Sequence, residues 1–229
     1  MCHNLANIWI TSQNKANYAI GLPEDTMSTV KTANKSPETD GRKLRTNDSR
    51  KKIVDAFLNL IKEGNVSPSA EEVASSASVG LRTVFRRFNE MELLHRELVT
   101  ETQARFLPQF LVPFKSTHWR DQLDESLERR AEIFELLMPF RIAAKVHMHN
   151  SEFIKTNMMR WNTTQEKVIE HLMPFSAKDE PVKMAAVIAS MSFENWIQMR
   201  TLQKLSAKQA KAVMVYMTEA ALGDYSSAK

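Results

Sequence analysis

Cysteine is almost absent from this chain: Cys2 is the only one in 229 residues. One thiol cannot close an intramolecular disulfide, nor can it build a thiolate metal cluster. Glycine is scarce at 5 and proline at 8, which argues against a fold made of many tight turns. Long hydrophobic runs are missing too. The most apolar stretch, Met184 to Phe193, falls well short of the roughly 20 residues that cross a bilayer. The first residues hold no basic segment leading into an apolar core, so no secretory signal and no membrane partner are expected. The cytoplasm is the default location.

Enzyme signatures are lacking as well. There is no Gly-x-Ser-x-Gly elbow, phosphate-cradling glycine loop, His-Glu-x-x-His or dinucleotide fingerprint. Cys2 stands in a polar leader, a poor setting for a nucleophile. His147 and His149 are two apart, and such positions on a helix point in different directions. The expectation is therefore no catalytic residue, no metal ligand and no cofactor.

What is present favours an all-α protein. Hydrophobic residues make up 43% and charged residues 25%, ordinary values for a globular domain. Methionine is abundant at 13 and suits adaptable apolar interiors. The net charge is only +4, but it is unevenly distributed. Arg42, Lys43, Arg45, Arg50, Lys51 and Lys52 crowd one short stretch against the single acid Asp48. A local basic patch, rather than net charge, is the informative sign of a nucleic-acid partner.

Residues 1–45 are rich in Asn, Ser, Thr, Lys and Asp, and are expected to be disordered or weakly ordered. Met27 opens a conventional polar leader and is a candidate translation start. From Arg50 the pattern changes. Ile53, Phe57, Leu60 and Ile61 share one helical face, and Gly64-Asn65 ends that helix. The next helix can start from Ser67-Pro68 or from a capping box of Ser69 and Glu72. Its buried side carries Val73, Ala74 and Ala77. A third short helix aligns Leu81, Val84, Phe85 and Phe88 and bears Arg82, Arg86 and Arg87 on its other face. A fourth runs from about Met91 and stops before Pro108. Longer helices are expected over roughly Trp119 to Met138, Glu152 to Met173 and Val182 to Gln203. A last one, capped by Ser206 and Gln209, ends before Gly223.

Reading a major groove requires a short exposed helix propped by a packed partner. Ala74 is small enough for close approach, Ser78 lies at the turn, and Val84 points inward. Gly80 opens the third helix, leaving Leu81, Arg82, Thr83, Arg86 and Arg87 free for DNA. Arginine can bond guanine O6 and N7 bidentately or neutralise phosphate. Arg42, Lys43, Arg45 and Arg50 would add phosphate or minor-groove contacts. Phe85 and Ser69 complete the candidate interface.

The stretch Ile53-Val54-Asp55-Ala56-Phe57, Glu72-Val73-Ala74, Val79 to Phe88 and Glu92-Leu93-Leu94 resembles the tetracycline-repressor family of transcription regulators. The pattern departs from that family at Ser78 (usually glycine), Phe85 (commonly tyrosine), Met91 (often lysine) and Arg82 (often glycine). A left-handed conformation at Ser78 is expected to cost about 1 kcal/mol. The resemblance implies a three-helix helix-turn-helix DNA-binding domain over 46–95. It also implies a helical effector-binding and dimerisation domain over 96–225. On that analogy, helices near 182–203 and 206–222 pair with their twins in a homodimer. The dimer would bind a near-palindromic duplex operator as a repressor, and a small apolar ligand would release it. Phe134, Met138, His147, Met148, Met158, Trp161 and Trp196 are the expected pocket residues. Two other readings stay open: a helical interaction protein whose helix-turn-helix no longer binds DNA, and an enzyme.

Overall fold

The computed structural model describes residues 37–88, 91–110 and 112–227. All regular structure among them is helical, and none of these helices is long and apolar enough to cross a membrane. In chain order the helices are α1 (Pro37–Lys62), α2 (Ala70–Ser76), α3 (Leu81–Arg87), α4 (Met91–Phe110) and α5 (Trp119–His147). They continue with α6 (Glu152–Leu172), α7 (Pro181–Ser190), α8 (Phe193–Thr201) and α9 (Ala207–Leu222). A single turn of 3-10 helix, Met148–Asn150, links α5 to α6.

The expectations for residues 1–36 and for Met27 lie outside the described residues. Residues 37–45, expected to be weakly ordered, instead form the start of α1. Pro37 takes the first helical position, where the missing N–H forfeits no bond within the helix. Three further boundaries differ from the sequence reading. Helix α4 continues through Pro108 to Phe110, and α5 continues through Pro139 to His147. The apolar stretch read as one helix over 182–203 is two, because the Ser192 hydroxyl accepts from the Asn195 N–H at 3.1 Å and caps a fresh start. Asn195 Nδ2 also donates to the Ser190 carbonyl at 3.1 Å, satisfying a group that the break would orphan.

The described residues form two compact units, one of residues 37–102 with 139–154 and the other of 103–138 with 155–227. In the first, α1, α2 and α3 each pack against the other two. Their shared core is Ile53, Phe57, Leu58, Ile61, Val73, Ala74, Val84 and Phe88, all buried. Ala74 and Ala77 supply little volume, so the short helices approach closely. The ends of α1 and α2 are closed alike. Asn65 N–H reaches the Leu60 carbonyl and Gly64 N–H the Ile61 carbonyl, both at 3.0 Å. Val79 N–H reaches the Ala74 carbonyl at 3.0 Å and Ser78 N–H the Ser75 carbonyl at 3.1 Å. Both are Schellman closures, which need a left-handed residue; Gly64 has φ 100° and Ser78 φ 53°. The strained serine anticipated at the turn is present.

The second unit has a larger, softer core of Leu123, Leu127, Phe134, Ile169, Met184, Met191, Phe193, Trp196, Met199 and Met214. Helices α7 and α9 form its most extensive helix pairing. Where they meet, the buried hydroxyls of Ser190 and Thr218 lie 2.8 Å apart; one donates to the other, and the acceptor donates in turn to a carbonyl of its own helix, Val187 or Met214. No polar atom of that pair is left unmet. Trp196 Nε1 donates to Glu135 Oε1 at 2.9 Å, and Arg200 holds the same carboxylate through two bonds at 2.7 and 2.9 Å. That pairing raises the Arg200 pKa above its ordinary value.

Candidate functional site

The first unit presents α3 to solvent in a specific orientation. Val84 and Phe88 are buried at 1% and 2% exposure, four residues apart on one side. That register turns Arg82 and Arg86 outward, and both are exposed. Arg87 and Thr83 are half-buried, while Leu81 and Phe85 are exposed at 36% and 50%. Gly80 precedes the helix with φ −69° and ψ 145° and offers no side-chain cap. Its carbonyl accepts from Thr83 N–H at 2.7 Å, starting the helix directly. The outer surface therefore carries two guanidinium groups, with a third at its edge, beside an exposed aromatic ring.

The preceding helix fixes this surface. Of the two starts open in the sequence, α2 uses Ser69: its hydroxyl accepts from Glu72 N–H at 3.2 Å, and the Glu72 carboxylate accepts from Ser69 N–H at 2.7 Å. Asn65 Nδ2 adds a bond to Glu72 at 3.0 Å. Those bonds, led by the one from the Ser69 backbone, lower the Glu72 pKa below the usual carboxylate range. Ser69 is exposed but engaged in the cap.

Arg50 is held otherwise than the sequence reading implied. Its Nε bonds both oxygens of Glu97 on α4 at 2.8 Å, its Nη2 is paired with the same carboxylate, and its guanidinium lies 4.9 Å over the Phe88 ring. It locks α1 to α4 within the first unit rather than standing open. Arg42, Lys43 and Arg45 lie on α1, and their side chains fall outside the described residues.

The seven expected pocket residues are distributed over both units. His147 and Met148 belong to the first unit, where the His147 and His95 rings stack at 4.4 Å. Phe134, Met138, Met158, Trp161 and Trp196 belong to the second. There Trp196 is fully buried in the core, its ring 6.0 Å from that of Phe134. Met138 packs against the same core. Phe134 and Trp161 line a cavity of this unit, a space of about 60 Å³ shared with Arg130, Gln165, Met191 and Phe193.

Arg130 escaped the sequence reading, although a signal was there. Leu123, Leu127, Arg130, Phe134 and Leu137 follow one another at helical spacing and are all buried, so a guanidinium stands on an apolar stripe. Burial alone pushes its pKa down to about 10. The described residues hold no group of three or more side chains able to bind a metal ion. Compared with known proteins, the chain matches no family model, no curated protein and no solved structure.

Proposed function

We propose that this chain is a homodimeric, sequence-specific DNA-binding transcription regulator of the tetracycline-repressor type, acting in the cytoplasm. Helices α2 and α3 serve as its helix-turn-helix. The observation that carries the reading is α3 itself: a two-turn helix with Val84 and Phe88 buried beneath it and Arg82 and Arg86 exposed above. Such a helix can enter a major groove with its arginines reaching base edges and phosphates. The second unit would bind the effector and dimerise. Support for dimerisation comes from Val182 on α7 and Tyr216 on α9, 82% and 75% exposed on the two helices that already pair within the chain. Two-fold pairing would set two α3 helices on successive turns of one duplex face.

Selection of bound duplexes from a random pool tests the proposal. Enrichment of an inverted repeat, its half-sites centred about 10 base pairs or a little more apart, is the expected result. Binding should weaken steeply with salt as counterions are released. A pool that enriches nothing would overturn the reading. The exposed Leu81 and Phe85 on the same surface favour a second reading, a helical interaction protein, and that outcome would select it.

A further inference from the structure

The cavity lined by Phe134 and Trp161 contains an electrostatic imbalance. Arg130 is 2% exposed, and its hydrogen bond among the described residues runs from Nε to Ser126 Oγ at a long 3.4 Å. No carboxylate of the described residues is paired with it, although five other arginines and lysines of this unit, such as Arg129 with Glu125 and Lys211 with Glu128, have such partners. A guanidinium offers five donors in a plane; here Nε alone has an acceptor among the described residues, and Arg130 lines the cavity. Gln165 lines the same cavity, and its Oε1 is buried without a donor. A buried guanidinium with no carboxylate partner among the described residues and a buried acceptor without a donor, lining one space, are unusual in a folded interior.

The shape of the space narrows what can fill it. At about 60 Å³ it is well below the roughly 150 Å³ that takes up benzene. It can enclose a head group of a few atoms and not a whole drug-sized molecule. Phe134, Trp161 and Phe193 provide flat apolar walls. Glu166 and Glu194 line its exposed side, Glu194 accepting from Asn162 Nδ2 at 3.3 Å, so the charged group of an anionic ligand belongs at Arg130 and its uncharged remainder at the opening.

We propose that this cavity is a binding site for a small carboxylate carrying a hydrogen-bond donor next to its acid group, with Arg130 clamping the carboxylate and Gln165 Oε1 accepting from the donor. The rest of the ligand packs on Trp161 and leaves through the rim. A planar carboxylate matches the guanidinium fork through two parallel bonds, whereas an apolar molecule leaves both polar groups unmet. The site deepens the proposed effector-binding role of this unit and rests on that reading only for its regulatory consequence.

The test is calorimetric titration of the full-length protein, without DNA, using mandelate, phenylacetate (which lacks the hydroxyl) and mandelamide (which lacks the charge). Mandelate should bind at least tenfold tighter than mandelamide and measurably tighter than phenylacetate. Arg130→Met should lower mandelate affinity at least tenfold, and Gln165→Leu should close the gap between mandelate and phenylacetate. Ile188→Trp, which fills the cavity from its wall and keeps Arg130, should block all three with helical circular dichroism unchanged. Equal binding of mandelate and mandelamide, no binding of mandelate, or full affinity in Arg130→Met would overturn the proposal and leave Arg130 solvated by trapped water. Because no DNA is present, these outcomes are independent of whether a duplex is ever selected.

Discussion

In the unit of α1 to α3, cations stand outside a tight aliphatic core: Arg82 and Arg86 are exposed above Val84 and Phe88. In the unit of α7 to α9, a methionine-rich and aromatic core admits one cation, Arg130, on its apolar stripe. The same side chain thus has two energetic roles. An exposed guanidinium costs the fold nothing and is free for a partner. A buried, unpaired one costs several kcal/mol of desolvation that the protein alone does not recover. Where such a cost is carried, the natural recipient of the charge is something that comes and goes.

The comparison breaks first at α3. Replacing Arg82, Arg86 and Arg87 together by alanine should weaken binding to a selected duplex on the order of 1000-fold, about 4 kcal/mol, since each base or phosphate contact is worth about 1–3 kcal/mol. The melting temperature should barely move, because Arg82 and Arg86 are exposed and contribute little to stability, and the half-buried Arg87 makes no ion pair among the described residues. Affinity by fluorescence anisotropy and stability by calorimetry decide it together; a large fall in both would mean the arginines hold the fold.

At Arg130 the converse is expected. Arg130→Met should stabilise the protein by about 1–4 kcal/mol, as removal of unpaired buried charge often does, raising the melting temperature by roughly 2–4 °C per kcal/mol. The pH dependence has a definite sign. The folded pKa, about 10, lies below the ordinary 12.5, so the penalty is constant at neutral pH, where both states are protonated. Above about pH 10 the folded state releases its proton first, wild-type stability rises, and the advantage of the methionine shrinks. Melts of both proteins from pH 7 to 10.5 check the sign.

A smaller contrast concerns helix caps. Each unit has a capping box, Ser69 with Glu72 on α2 and Ser206 with Gln209 on α9. Either serine to alanine should cost about 1 kcal/mol. Only the first box contains a titratable group. Because the Glu72 pKa is lowered, its contribution is present above the ordinary carboxylate pKa and is lost as pH falls through the folded value. The cost of Ser69→Ala should therefore shrink in acid, while that of Ser206→Ala should not.

Local chemistry was legible in the sequence; tertiary choices were not. The capping boxes, the glycine stop after α1 and the inward Val84 follow from spacing within a turn or two, and each is present. The break at Ser192 was hidden because its cap sits inside an apolar run, where periodicity suggests continuity. Pro108 and Pro139 read as stops, yet proline inside a long helix is tolerated when surrounding packing outweighs one lost backbone bond. Arg129 and Arg130 look alike in a charged stretch. Only packing makes the first pair with Glu125 and lie over the Phe114 ring while its neighbour, about 100° further round the helix, turns into the core. The expected pocket residues accordingly suggest an apolar ligand and do not include Arg130.

The finest contrast lies within the first unit, at Ser78. The left-handed conformation, φ 53°, costs a non-glycine residue about 1–2 kcal/mol, and α1 achieves the same closure with Gly64 at no such cost. Ser78→Gly removes that strain but adds about 0.5–1 kcal/mol of freedom to the unfolded chain, so the net gain should be only about 0.5 kcal/mol. A rise in melting temperature of roughly 1–2 °C with unchanged duplex affinity is expected. Lower affinity in the glycine variant would mean that the serine stiffens the α2–α3 turn for recognition, and that its strain is retained because binding gains from a rigid turn. Equal affinity would show that it is merely tolerated.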